Sequence, residues 1–381
     1  MMTQGFRLPA KVFKIIASAI AISLYSFSTI AKPPCQIIID AGSSGSRLFV
    51  YRRLNNGWVP TRGKKTSALA DSIREVNGKR WSDRSKTLSD IIELIDSAPT
   101  SDCKLDSISV LATAGMRLAE AKHPNRSTLF WSQLKKSIRE QAGEEVTITA
   151  RTLTGFEEGI YAWLATKEKE KNNQFGLIEM GGASVQIIFP CKMCKDTKRV
   201  LIDNKITPFF GTSLLGAGAK EAYKLHHKKS VCRQQAGVNN PNWKVENCLR
   251  LKANQRNSYT LIDTHNHRGE DPLTQNQSVV LPLSKNPSLR WVLQGGFNYS
   301  QPTEIIKCYQ TRSPCSRPVT SCFQSIYAQF LLDVVGINYE QATKQDLSWT
   351  LGAAICDSTN CLRGEKYNRK CLWMKDNQCI S

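Results

Sequence analysis

Two stretches of this chain repeat one pattern, and that repeat restricts the possible folds more than any other feature. Residues 37–50 read IIIDAGSSGSRLFV and residues 176–189 read GLIEMGGASVQIIF; a shift of 139 positions lays Asp40 on Glu179 and Gly42 on Gly181. Each copy is an apolar run, a carboxylate, a turn of small residues and a second apolar run. A strand that only filled a core would gain nothing from the carboxylate, and glycine weakens a strand interior. The repeat predicts an internal duplication at low identity, with two similar units facing each other. At 381 residues the chain also exceeds what one hydrophobic core usually holds.

Around the copies the pattern alternates. QIIID (36–40) reads as a strand leading through a glycine-serine turn into RLFVYRR (47–53). Leu88, Ile91, Ile92 and Ile95 recur at helical spacing within 81–98, and 127–143 and 157–171 read as two further helices. Residues 107–115 form an apolar, β-branched run, and EVTITA (145–150) reads as a strand. Strands alternating with helices predict α/β layers around largely buried sheets. A polar stretch (226–278) with little periodicity reads as loop, 322–335 as a strong helix, and 348–356 as the start of the last one.

Arg7, Lys11 and Lys14 precede an apolar run that ends in small residues, the pattern of a secretory signal peptide over 1–31, cut after Ala31. An uncleaved anchor is the other reading of that segment. Nothing later is apolar for long enough to cross a bilayer, so the expectation is an exported protein, secreted or periplasmic, without stable membrane insertion once the signal is cleaved. Thirteen cysteines fit an oxidising compartment, and their odd number leaves one without an intrachain partner. CKMC (191–194) has the spacing of a redox or zinc half-site, but no second CxxC or His pair completes a zinc site, which favours disulfides. The formal charge of +20 attracts polyanions, yet the basic residues are scattered and no motif supports a nucleic-acid partner.

The repeated turns carry the chemistry. Glycine lets backbone N–H groups approach a phosphate closely, and Ser43, Ser44 and Ser46 add hydroxyls around Gly45 in the first turn, as Ser184 does beside Gly182 and Ala183 in the second. A carboxylate beside such a turn repels phosphate unless a cation stands between them. Asp40 and Glu179 therefore read as outer ligands of a divalent metal, Mg²⁺ or Ca²⁺, bridging phosphate oxygens. Two hairpins that kept their turns for folding alone are the structural alternative. Between the copies, ATAGMR (112–117) offers the Thr113 hydroxyl and the Arg117 cation. TGFEEGIYAW (154–163) places Glu157 and Glu158 at a helix start, where one acid can serve the helix dipole while the other faces a cleft.

These residues resemble the ecto-apyrases, the nucleoside triphosphate diphosphohydrolase family. Its first four conserved regions are matched in order by DAGSSGSRLFVY (40–51), LATAGMR (111–117), TGFEEGIYAW (154–163) and IEMGGASVQIIF (178–189), and the fifth more loosely by QGGFNYS (294–300). TSLLGAGAKEAY (212–223) and WTLGAA (349–354) also match family stretches. The resemblance implies two ribonuclease-H-like domains of the actin and Hsp70 type, with the nucleotide in the cleft between them. The implied division is 32–153 plus 348–381 for one domain and 154–347 for the other. It also implies that Glu158 is the general base, that Ser184 and Gln186 hold the attacking water, and that Asp40 and Glu179 hold the metal through water near Thr113 and Trp349. Phosphate would be gripped by Ser43, Ser44, Gly45, Ser46, Thr113, Gly182, Ala183 and Ser184. A base-stacking aromatic such as Tyr299, flanked by Phe297 and Asn298, would favour a nucleotide substrate. Two departures touch substrate range: Glu179 stands where the family usually has Asp, and Gly45 where many members have His. The alternatives are a polyphosphate or guanosine-polyphosphate phosphatase with the same clamp, and a nucleotide sensor that hydrolyses nothing.

Overall fold

The computed structural model describes residues 32–364, apart from 77–78, 81–82, 196, 223–288, 301–323 and scattered positions between 326 and 334, together with 373–375 and 378–380. Residues 1–31, the polar stretch 226–278 and part of the helix expected over 322–335 lie outside the described residues. The described residues between 324 and 335 are helical.

The first sheet is built from β1 (Pro34–Gly42), β2 (Gly45–Leu54), β3 (Gly57–Thr66), β4 (Lys104–Ala112) and β5 (Thr147–Thr152). Their order is β3-β2-β1-β4-β5, with β1–β3 an antiparallel meander and β4 and β5 parallel to β1. Three helices, α1 (Arg84–Asp96), α2 (Ala114–Lys122) and α3 (Pro124–Ala142), fall between β3 and β5. The buried helix α4 (Gly155–Glu170) then leads to the second sheet. That sheet holds β6 (Phe175–Met180), β7 (Ser184–Pro190), β8 (Lys198–Ile202), β9 (Lys205–Leu215), β10 (Arg290–Gly295) and β11 (Thr343–Lys344). Its order is β8-β9-β7-β6-β10-β11: β6, β7, β9 and the edge strand β8 pair antiparallel, and β10 and β11 run parallel to β6. β6 takes the place of β1 and β10 that of β4, so both sheets carry the ribonuclease-H-like order and the duplication is structural. α5 (Trp349–Thr359) closes the described core.

Strand alternation decides what faces where. Cys35, Ile37, Ile39 and Ala41 of β1 pack on α1–α3, while Ile38 joins Phe49, Tyr51 and Leu111 on the opposite face against α4 and α5. The inner face of the second sheet, with Phe175, Leu177, Ile188, Phe209 and Val292, packs on the same two helices. The result is a stack of helices, sheet, helix pair, sheet and helix. α4 is buried from Gly155 through Thr166 because both of its sides meet a sheet. α4 and α5 cross so closely that a Cβ on Gly352 would lie 1.7 Å from the Tyr161 carbonyl oxygen. Only glycine allows that approach.

Three disulfides join described cysteines: Cys35–Cys103, Cys191–Cys194 and Cys356–Cys361. The first closes a 68-residue separation and ties the start of β1 to the segment before β4, worth ~4 kcal/mol in the loop-entropy account. CKMC is thus a disulfide loop, and among the described residues no cysteine is free. No described helix is long and apolar enough to cross a membrane.

Candidate active site

The site lies where the ends of β1, β4 and β6 meet the first turn of α4. Asp40 sits two residues before the β1 end, on the same face as Ile38, and Glu179 one residue before the end of β6, opposite Gln186 of β7. The two turns that follow these acids touch. A Cβ placed on Gly182 would lie 2.4 Å from Ser43 Oγ and 3.5 Å from Ser44 Oγ. Ala183 packs with Ala114 at the start of α2, sealing the junction. Thr113, the N-cap residue of α2, is bonded through its N–H to the Ala41 carbonyl (3.2 Å), so the second conserved stretch rests on the first turn.

The acids at the start of α4 separate into two jobs. Glu157 completes a capping box: its N–H donates to Thr154 Oγ1, and its Oε2 accepts from the Thr154 N–H at 2.8 Å. Burial would raise its carboxyl, but the bidentate Arg151 contact (2.7 and 3.0 Å) and the Thr154 donors hold it below the usual carboxylate range. Glu158 points instead into the cleft. Its Oε2 accepts from Arg117 Nη1 at 2.9 Å and from Gln186 Nε2 at 3.1 Å. Burial raises the Glu158 carboxyl and the Arg117 guanidinium opposes that rise only in part.

Arg117 organises this corner to an extent the sequence did not reveal. Nη1 also donates to the Leu153 carbonyl (3.0 Å), and Nη2 donates to Ser184 Oγ (3.0 Å) and Ser213 Oγ (3.5 Å). Gln186 Nε2 lies 2.5 Å from Ser184 Oγ and 3.2 Å from Ser213 Oγ in addition to Glu158. An amide nitrogen has two protons for these three acceptors, so the partners compete. Ser213 of β9 was not singled out from sequence. Its only signal is the match of residues 212–223 to a family stretch.

The carboxylates bear on the question of a cation. Burial, then Glu158, pushes Asp40 up to about 7 against the opposing pull of Lys65. Burial, with Glu158 and Asp40, raises Glu179 well above its ordinary value, and its Oε2 is buried without a partner, as is Gln186 Oε1. Acids that repel each other around orphaned acceptor oxygens suit a divalent cation. The described residues hold no cluster of three or more His, Cys, Asp or Glu that would ligate an ion directly. A cation that keeps most of its waters fits this donor set.

Other expected site residues are placed differently. Ser46 is fully buried and donates its hydroxyl to the Ser67 carbonyl (2.9 Å), so it does not line the cleft. Phe297 is also fully buried, packed with Met180 and Leu293, which removes its ring from any base-stacking surface. Asn298 donates to the Gln345 carbonyl (2.9 Å), and Tyr299 alone of that trio is open, at 69% exposure. Trp349, the first residue of α5, is buried and stacked on Tyr161 (centroids 6.3 Å apart), one helical turn beyond Glu158. Gly45 has φ +142°, and a Cβ there would lie 2.6 Å from the Thr66 carbonyl oxygen, so a side chain at this turn position would be strained.

Comparison with known proteins bears on the family and the fold. The chain is 28% identical over 232 residues to a Golgi apyrase of Schizosaccharomyces pombe, a match covering 50% of this chain and 39% of that protein. It is 29% identical over 220 residues to a guanosine-diphosphatase of the same organism, covering 50% and 37%. The match thus spans about two-fifths of the length of these curated relatives. The crystal structure of nucleoside triphosphate hydrolases from Neospora caninum shares the fold, with TM-score 0.53 and 14% identity over 94% of this chain and 98% of that one. So does an Aquifex aeolicus member of the Ppx/GppA family, with TM-score 0.51 and 12% identity over 86% and 98%. The model of the GDA1/CD39 (nucleoside phosphatase) family matches residues 34–327, most of the chain including both repeated turns, and the chain belongs to that family.

Proposed function

We propose that this protein is an exported apyrase that hydrolyses the terminal phosphate of nucleoside triphosphates and diphosphates by attack of a water activated by Glu158. The observation that carries this reading is the convergence of Glu158 and Ser184 on Gln186, each within hydrogen-bond distance of its Nε2, beside the two touching turns. A water in that corner would give its proton to Glu158 while Ser184 Oγ and Gln186 Oε1 hold it in line with the leaving oxygen. Arg117 has a distinct part: its guanidinium favours the ionised form of a buried Glu158, the form a base needs, and ties it to Ser184. Backbone N–H groups of the turns, with the Ser43 and Ser44 hydroxyls, take up charge on the transferred phosphoryl group. Asp40 and Glu179 would hold the divalent cation through water, and that cation supplies charge neutralisation for the phosphate oxygens when bound.

Two further observations support parts of the reading. Six described cysteines are paired, as in an oxidising compartment. The exposed Tyr299 ring, on the turn after β10, can stack on a nucleobase. Phosphate release should be seen with ATP, ADP, GTP and UTP. Release from polyphosphate with none from nucleotides would replace this reading by the polyphosphatase alternative.

A further inference from the structure

We infer that Lys220 is a phosphate-binding residue of the cleft, and this inference rests on the hydrolase reading above. Its backbone is fixed to the second turn: the Lys220 N–H donates to the Gly182 carbonyl at 2.8 Å, between the bonds Ala219 N–H to Gly181 O (3.0 Å) and Glu221 N–H to Gly182 O (3.1 Å). Gly218 makes this seating possible, since a Cβ there would lie 2.3 Å from the Ala183 nitrogen. From that base the side chain crosses to the other half of the duplication, where Nζ donates to the Ser43 carbonyl at 2.9 Å. Lys220 thus places an ammonium where the two turns meet, on chain segments 177 residues apart.

Charge balance explains why a cation belongs there. Asp40 and Glu179 together offset a divalent cation, Arg117 is paired with Glu158, and Lys65 acts on Asp40. A polyphosphate chain entering between the turns brings several further negative charges. Lys220 is a cation whose side chain bridges the turns that would grip that chain. An ammonium held beside Ser43 at the junction of the turns can donate to a phosphate oxygen that enters between them. Because this contact forms in the ground state as well as the transition state, its loss falls on KM rather than kcat.

The test measures kcat and KM for a nucleoside triphosphate at saturating divalent cation, together with melting temperatures, for the wild type, Lys220→Met, Lys220→Gln and Lys220→Arg. The first two variants should raise KM roughly 10- to 100-fold, the value of a charge-assisted hydrogen bond, and Lys220→Arg should recover most of the loss. Lys220→Gln keeps a donor for the Ser43 carbonyl without the charge, so a wild-type KM in that variant overturns the inference. A lowered melting temperature with unchanged KM in Lys220→Met does the same, reducing the lysine to a latch between turns. If the wild type turns over no nucleotide, the hydrolase reading falls by itself. Lys220 is then judged by calorimetric binding of a non-hydrolysable triphosphate, where equal affinity of the wild type and Lys220→Gln overturns it.

Discussion

Glu158→Gln should lower turnover by roughly 10²–10⁴-fold, the usual contribution of a general base, while leaving nucleotide affinity within a few-fold of wild type. The substitution preserves volume and removes the proton acceptor, and phosphate grip belongs to the turns at 43–45 and 182–184. Glu157→Gln should do the opposite. Its carboxylate holds Arg151 at 2.7 Å and closes the capping box, but nothing ties it to Ser184 or Gln186. Losing charge-assisted bonds at a buried position should cost about 1–3 kcal/mol of stability, read in a urea melt, with turnover near wild type. A crippled Glu157→Gln beside a tolerant Glu158→Gln would assign the base to the wrong neighbour.

Exhaustive chelation should abolish activity, and the metal-free protein should show why. The folded-state values of Asp40 and Glu179 lie above their unfolded ones, chiefly through burial, so between the two the native state holds more protons than the unfolded chain. Stability therefore falls as pH rises from the ordinary carboxylate range to about 7, where Asp40 loses its proton. Adding Mg²⁺ or Ca²⁺ should raise the melting temperature strongly near pH 7.5 and much less near pH 5, where protons occupy the acids. Full activity after chelation, or a melting temperature indifferent to cation at both pH values, would remove the cation from the reading.

The duplication was legible because its signal is local: a carboxylate and glycines on a strand end stand out against apolar neighbours. The helices were legible from their periodicity, as Arg84–Asp96 and Pro124–Ala142 show against the expected 81–98 and 127–143. β3 was missed because GWVPTRGKKT is an edge strand, largely open to solvent, with Pro60 in it and no alternation to read. Ser46 was misplaced because a turn sequence does not say which hydroxyls point inward; strand pairing with Ala41 turns this one away from the cleft. Phe297 was misplaced because a motif names residues without their burial. The Arg117–Glu158 pair joins residues 41 apart where the start of α2 meets the first turn of α4 beyond the strand ends, which no spacing rule records.

The helix pair between the sheets also governs how the protein comes apart. One apolar cluster includes Ile38, Phe49 and Tyr51 from the first sheet, Trp163 and Ala354 from the two helices, and Leu177 and Val292 from the second sheet. Melting either sheet alone would expose both helices to water on one side. The intermediate with a single intact half therefore loses apolar burial without gaining the full conformational freedom of the open chain. For the described core, unfolding should be all-or-none despite its two repeats, with a calorimetric enthalpy equal to the van't Hoff value.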